Sequence, residues 1–171
     1  MTEKIDTILQ PYLQSIGDDI GYINHTKRML LYALELKELS DEELEKFIIA
    51  LAFHDLGIWT EQSFDYLAPS VELAKNYLKE HDKIAYTNDV VQMIDQHHKI
   101  TPITDNDLAE LFRKVDLIDV SWGVKSFGID KKRINEIQKA FANNGFHMTL
   151  IKWFWKQLKH KPLRPMPMLK W

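Results

Sequence analysis

The sequence contains no cysteine, which excludes disulfide scaffolds, thiolate zinc sites and cysteine nucleophiles. It also has no apolar run near the roughly 20 residues that a transmembrane helix requires, and its first ten residues lack the apolar region of a signal peptide. We therefore expect a cytoplasmic protein with no membrane partner. The 171 residues, of which 45% are hydrophobic and 27% charged, suit one compact soluble domain.

Sustained alternation of apolar and polar residues is also missing, which argues against a β-sheet. Apolar residues instead recur at helical spacing almost throughout the chain. The pattern predicts helices over about residues 5–16, 18–36, 40–57, 70–78, 87–98, 105–121, 130–142 and 147–160, with a loop over 58–68. Three prolines predict an extended tail at 161–171. The sequence thus predicts a single all-α domain over residues 1–171, a bundle of seven or eight helices.

Charge is unevenly distributed along the chain. Residues 131–171 carry ten Lys or Arg and one acid, a net charge of +9, whereas residues 1–130 carry −12. Such asymmetry is typical either of a surface for phosphate, nucleic acid or an acidic partner, or of a basic end that packs on the acidic body of its own fold. We favour packing, because mixed-charge surfaces are usual. Nucleic acid is not expected, since no nucleic-acid-binding motif is present.

The aromatic residues before the tail, Trp153, Phe154 and Trp155, face more than one side of their predicted helix. Two uses of this segment stay open. The tail packs over the rings, which we favour, or the aromatic and basic segment forms an interface in a homodimer.

Among the seven histidines, His54 is followed by Asp55 at the end of an apolar segment, FIIALAFHDLG. A buried carboxylate is costly unless it is paired or binds a metal, and imidazole and carboxylate together suit a divalent cation. The simpler interpretation is a histidine at a helix C-terminus beside a solvated aspartate. His25 and Asp116 also interrupt apolar helix faces that leucine would complete. Four such residues with complementary ligand chemistry favour a metal site.

The order of these residues resembles that of the HD-domain superfamily of metal-dependent phosphohydrolases. HTKR at 25–28 resembles the first-helix HxxR pattern, ALAFHDLG at 50–57 resembles the apolar run that ends in HDxG, and VDLID at 115–119 resembles the last-helix segment. The likeness covers about residues 18–122. It implies a helical bundle in which one divalent cation (Mn, Fe, Ni, Co, Zn or Mg) is held by His25, His54, Asp55 and Asp116.

The resemblance also points to residues beside the expected metal. Asp119 lies one helical turn after Asp116, so it shares that face, and we include it among the candidates for catalysis. His97 and His98 resemble the HH element of HD families that bind a second metal. Those families have a further histidine where this sequence has residues 66–70, YLAPS. We therefore expect one metal, with His97 or His98 as proton donor to the leaving group; the alternative is a pair of surface histidines.

Two cations complete the expected site. Arg28 lies one turn after His25, and Lys99 follows the histidine pair. Both are expected to bind a phosphate group, Arg28 in bidentate fashion and Lys99 as a point charge.

The activity implied by the resemblance is hydrolysis of a phosphoester, either a phosphomonoester or a nucleotide-like small molecule, by a metal-activated water. HD nucleotidases often carry an acidic residue one turn after the HD pair, where this sequence has Ile58 and Trp59, which argues against a nucleotidase. Three alternatives stay open. They are an HD-fold hydratase or lyase for a small nitrile-like substrate, suited to the aromatic loop 58–70 with its few cations; a diiron oxygenase; and a non-catalytic, metal-stabilised interaction module.

Overall fold

A computed structural model describes residues 1–17, 20–163 and 166–169. These residues form helices and no β-strand, which confirms the all-α prediction. The α-helices are α1 (Glu3–Leu9), α2 (Leu13–Ile16), α3 (Ile20–Leu36), α4 (Asp41–Phe53), α5 (Gly57–Thr60), α6 (Leu67–Glu80), α7 (Thr87–Gln96), α8 (Asp107–Val120), α9 (Lys131–Ala140) and α10 (Phe146–His160).

The first predicted helix is divided in two. α1 ends at Leu9, a 3-10 helix spans Gln10–Tyr12, and α2 follows. Pro11 explains the division, because proline has no N–H to continue the α-helical hydrogen bonds and its ring crowds the preceding turn. The start of the second helix was predicted near Asp18 or Asp19, which lie outside the described residues.

α4 begins where its capping box predicts. The Ser40 hydroxyl accepts a hydrogen bond from the Glu43 backbone N–H at 3.2 Å, and the Glu43 carboxylate accepts one from the Ser40 N–H at 2.9 Å. The predicted end at Gly57 is wrong, because α4 stops at Phe53. The chain then turns and forms the short helix α5 inside the predicted loop over 58–68.

The turn between α4 and α5 depends on glycine. A Cβ atom added to Gly57 would lie 2.5 Å from the Tyr66 carbonyl oxygen, far inside van der Waals contact. The Gly57 N–H donates to the Ser70 hydroxyl at 3.0 Å, so the turn after α4 is held against the start of α6. This close approach, which a residue with a Cβ atom would prevent, fixes the path of the backbone between the end of α4 and the start of α6.

Four helices form the centre of the bundle. α3 packs against α8, and α7 packs against both α4 and α8. Their shared core includes fully buried Tyr22, Met29, Phe47, Phe53 and Phe112. Burial of one such side chain contributes roughly 1.5–3 kcal/mol, so the core holds the ends of these helices, where the polar candidates lie, in fixed positions.

A second, smaller apolar cluster lies beside this core. It contains Phe64, Tyr66 and Met168, with Trp153 and Phe154 of α10 packed against it. Of the tail predicted at 161–171, residues 161–163 and 166–169 are described, and they include turns rather than a continuously extended chain. Met168 is buried and part of the tail therefore packs beside the aromatic rings. The other tail residues, Trp171 among them, lie outside the described part.

Part of the basic C-terminal region contacts the acidic body. Arg133 of α9 lies 2.7 Å from Glu35 of α3, and Lys161 lies 4.0 Å from Asp65. Within the described ranges, no helix is both long and apolar enough to cross a lipid bilayer.

Candidate metal centre

Histidine and aspartate side chains from four parts of the bundle converge on one buried centre. α3 provides one of them, the turn after α4 two, the turn after α7 two, and α8 one. They are His25, His54, Asp55, His97, His98 and Asp116. Five of the six are at most 3% exposed, and the side chain of His98 is 22% exposed. The fold therefore brings together the four ligands that the resemblance implies and adds the histidine pair to them.

The first part of the centre lies between α3, α4 and α8. His25 Nε2 is 3.1 Å from His54 Nε2 and 3.6 Å from Asp116 Oδ1. Histidine and carboxylate ligands bind metals such as zinc at about 2.0–2.2 Å, so one cation has room to contact all three atoms.

In three histidine rings the Nδ1 atom donates a hydrogen bond away from the centre, and the Nε2 atom faces the centre. Nδ1 of His54 donates to the Leu51 carbonyl at 2.9 Å, Nδ1 of His97 donates to the Ile94 carbonyl at 2.7 Å, and Nδ1 of His25 donates to Asp119 at 2.7 Å. A neutral imidazole protonated at Nδ1 has a lone pair at Nε2. The Nε2 atoms of His25 and His54 face each other at 3.1 Å, close enough for one cation to contact both of them.

Two buried atoms at the centre have no hydrogen-bond partner among the described residues. They are Asp55 Oδ1 and His97 Nε2, which lie 3.5 Å apart. A buried polar group without a partner costs about 1–3 kcal/mol. A divalent cation would satisfy a carboxylate oxygen and an imidazole nitrogen together, so the residues present fit a bound metal.

The ligand atoms form three overlapping groups, each of which lies within 4.8 Å. One group is His25, His54 and Asp116; the second is His54, Asp55 and His97; the third is His97, His98 and Asp116. The histidine pair therefore extends the ligand set beyond the four residues that the resemblance implies. This set is large enough for one cation of high coordination number or for two cations that share ligands.

Asp119 and Arg28 lie behind the centre. Asp119 accepts hydrogen bonds from His25 Nδ1 at 2.7 Å and from Arg28 Nε and Nη2 at 2.6 and 2.7 Å. Arg28 Nη1 donates to the carbonyls of Phe141 and Ala142, and Arg28 is only 2% exposed. Arg28 is therefore not available to bind phosphate, contrary to the expectation from the sequence. It holds Asp119, and Asp119 holds His25.

Burial and neighbouring charge shift several pKa values in this region. Burial lowers the pKa of His54 to about 3, so the ring is neutral, as a metal ligand must be. Burial raises the pKa of Asp116 to about 6. Burial alone would also raise the pKa of Asp55, but the adjacent imidazoles, His54 first, hold it well below its ordinary value. Asp55 is therefore a carboxylate at neutral pH.

His98 differs from the other histidines of the centre because its side chain is 22% exposed. Its Nδ1 lies 3.7 Å from Asp116 Oδ2, and its Nε2 lies 2.5 Å from the hydroxyl of Tyr66. Burial raises the pKa of Tyr66 well above 10, so this residue is a neutral phenol that orients the ring. Tyr66 was not among the residues that the sequence identified as functional. The only available signal was its position, in the segment where related families have another histidine.

The centre opens into a cavity of about 500 Å³. Its inner end contains Asp55, His97, His98 and Asp116. Its walls are mostly apolar and include Phe64, Tyr66, Leu117, Val120, Leu150 and Phe154. Among the described residues, the cations Lys99 and Arg113 also line it, but Arg113 is bound to the Glu110 carboxylate by two hydrogen bonds of 2.7 Å.

Comparison with known proteins gives one family match. A family model described as HD domain matches residues 22–139, which is more than half of the chain and includes every residue of the centre. No curated protein and no solved structure shows a significant match.

Proposed function

The chain belongs to the HD-domain family, and we propose that it is a metal-dependent phosphohydrolase that cleaves a phosphoester with water at the histidine–aspartate centre. The observation that carries the proposal is the convergence of imidazole nitrogens and carboxylate oxygens on one buried point. The Nε2 atoms of His25 and His54 face each other, and Asp55 Oδ1 and His97 Nε2 are buried without hydrogen bonds in the described part of the chain.

We propose that His25, His54, Asp55 and Asp116 hold a divalent cation. Their mixed nitrogen and oxygen donors suit Mn, Fe, Ni, Co, Zn or Mg. When bound, the cation would polarise a phosphoryl oxygen and lower the pKa of water toward neutrality. The interior location supports this role, because a water-poor site strengthens electrostatic interactions.

The roles of the remaining residues follow from their positions. His97 is buried, and its Nε2 lies within 4.8 Å of ligand atoms of both His54 and Asp55, a position that suits a ligand better than a proton donor. Burial lowers the pKa of His98 well below its ordinary value, so its ring is neutral at pH 7 and orients a water molecule or a substrate oxygen rather than acting as a strong acid. Lys99 is the cavity cation that binds the phosphate group, in place of Arg28.

A metal-reconstitution assay tests the proposal. The protein is stripped with a chelator, reloaded separately with each of the six cations, and given p-nitrophenyl phosphate and bis(p-nitrophenyl) phosphate. We expect metal-dependent release of nitrophenol that is lost in Asp55→Asn. The matched control is Asp105→Asn, which alters an exposed aspartate outside the centre. Absence of turnover of both esters with every metal would contradict the proposal.

A hydratase or lyase is the second candidate, because the cavity walls are apolar and contain few cations. Such an enzyme would add water to a small neutral nitrile and would not need Lys99. A nitrile panel run under the same metal conditions separates the candidates. Amide formation without phosphoester cleavage would favour the hydratase.

A further inference from the structure

We infer that the cavity selects a substrate with an apolar body and a single anionic head group, such as the phosphate monoester of an alkyl or aryl alcohol, in preference to a nucleotide. This inference rests on the proposed function for the chemistry of the head group. The apolar part of the inference depends only on the cavity.

The cavity has two chemically different ends. The inner end carries the carboxylates and imidazoles of the centre, whereas the walls beyond it come from apolar faces of the fold. α8 contributes Leu117 and Val120, α10 contributes Leu150 and Phe154, and the tail segment contributes Met168. A molecule bound with its reacting group at the inner end therefore places the rest of its structure against hydrocarbon.

The volume of the cavity favours a body of substantial size. At about 500 Å³ it lies within the range of sites that enclose a drug-sized ligand. Burial of apolar surface is favourable in proportion to the area removed from water. A small neutral molecule would leave most of this wall area in contact with solvent.

The parts of the walls that described residues form do not offer the partners that a nucleotide requires. The Tyr66 hydroxyl is hydrogen-bonded to His98, and the Arg113 guanidinium is bound to Glu110. A base and a ribose would thus place several donors and acceptors against apolar groups, and stranded polar groups of this kind reduce affinity strongly.

The charge of the cavity lining also favours a substrate with a single phosphate group over a nucleotide with several. Two basic residues line the described part of the cavity. Arg113 forms an ion pair with Glu110, and Lys99 has no ion pair with any described residue. One free cation beside the centre matches one phosphate head group. The additional charges of a polyphosphate chain would extend along walls that contain no further unpaired cation within the described residues.

A chain-length series tests the inference on the metal-loaded protein. Ethyl, butyl, hexyl and octyl phosphate are compared with AMP as substrates. We expect kcat/KM to rise by up to roughly fourfold for each added methylene that is fully buried, and AMP to lie at least about tenfold below octyl phosphate. A flat dependence on chain length, or AMP equal to octyl phosphate, would overturn the inference.

Two cavity variants show whether the rise depends on the apolar wall. Leu117→Gln places an amide in the wall of α8, and Ile100→Gln does so at a rim position that is 49% exposed, where folding is least affected. Both should flatten the chain-length dependence. The matched control is Leu34→Gln, a partly exposed helical leucine that does not line the cavity, and its profile should remain that of the unaltered protein. An unchanged slope in both cavity variants would contradict the inference.

Binding of phosphonates separates this inference from the proposed hydrolysis. Octylphosphonate and ethylphosphonate cannot be hydrolysed as phosphoesters, and calorimetry gives their dissociation constants. If no phosphoester is cleaved but octylphosphonate binds more tightly and Leu117→Gln removes the difference, the proposed function fails and the selection stands. Equal affinity of the two phosphonates would overturn the selection even if hydrolysis is observed.

Discussion

The two sides of the metal centre differ in how their polar atoms are satisfied. On the side of α3, His25 Nδ1 binds Asp119, Asp119 binds Arg28, and Arg28 binds backbone carbonyls, so the outer polar atoms are paired. On the side of the cavity, Asp55 Oδ1 and His97 Nε2 are buried 3.5 Å from each other and make no hydrogen bond within the described residues. The protein thus satisfies one side with its own groups, whereas the cavity side keeps two buried polar atoms that fit a bound cation.

This difference indicates that the α3 side holds the ligand side chains in place, whereas the cavity side is where a metal would bind. His25 is also stacked on Phe146, with ring centroids 4.3 Å apart, so its ring is held on both an edge and a face. Substitutions on the α3 side should therefore affect folding as well as the metal. Substitutions on the cavity side should affect the metal first.

The largest effect is expected from removing a ligand on the cavity side. Asp55→Asn replaces a carboxylate by an amide of the same shape, and we expect metal affinity to fall by more than about 100-fold, beyond the usual cost of losing an outer partner. Elemental analysis after dialysis measures the retained metal. The chelated variant should differ from the chelated wild type by less than about 1 kcal/mol in stability. Full metal content in Asp55→Asn would mean that the cavity side is not the binding side.

A smaller effect on the metal and a larger one on folding are expected at Asp119. Asp119→Asn should lower metal affinity by about 10–100-fold, because Asp119 orients His25. It also leaves the buried Arg28 guanidinium without its anion, which should destabilise the metal-free protein by about 3–5 kcal/mol.

The double variant Arg28→Met with Asp119→Asn sharpens this prediction. Removing both partners avoids the unpaired charge, so the double variant should be more stable in urea unfolding than Asp119→Asn alone. Additive losses would show that the two side chains do not act as a pair.

The same pair predicts an acid limit of stability. Burial alone would raise the pKa of Asp119, but hydrogen bonds from Arg28 and His25 lower it from 3.8 to about 2. Because the folded-state pKa is the lower one, its contribution is complete above pH 3.8 and is lost as the pH falls toward 2. One pKa unit corresponds to about 1.4 kcal/mol, so the contribution is about 2 kcal/mol. Unfolding of wild type and Asp119→Asn from pH 5 to 2 should show the two stabilities approaching each other; a constant difference would contradict the assignment.

The smallest effect is expected at the cavity wall. Lys99→Met removes the unpaired cation without touching the centre, so metal content should not change. KM for a phosphomonoester should rise by roughly two- to fivefold, the scale of a partly exposed ion pair. Steady-state kinetics measures the change. A KM equal to that of wild type would remove Lys99 from the binding site.

Much of the fold was readable from the sequence because helical periodicity and caps are local signals. The Ser40 capping box set the start of α4, and apolar spacing located the major helices. The division at Pro11 is also a local signal, because proline interrupts α-helical hydrogen bonding. α5 was not predictable, since it depends on Gly57 meeting the Tyr66 backbone, a contact made only in the folded chain.

In the site, too, features that depend on neighbouring residues could be predicted from the sequence, and features that depend on distant residues could not. Polar residues within apolar helices, such as His25 and Asp116, stand out in the sequence, and the structure brings them together. The role of Arg28 could not be read in this way, because its partner Asp119 lies 91 residues away and both groups look like free site residues in the sequence. The apolar character of the cavity arises from α8, α10 and the tail together, and no single segment displays it.

Anomalous diffraction from crystals of the metal-loaded protein, combined with elemental analysis, tests the central claim most directly. We predict a peak at the metal absorption edge within reach of His25 Nε2, His54 Nε2 and the carboxylates of Asp55 and Asp116. A second peak beside His97 and His98 would assign the overlapping ligand groups to two cations. Absence of any peak at the centre, with the inward-facing atoms hydrogen-bonded to one another or to water, would contradict the claim.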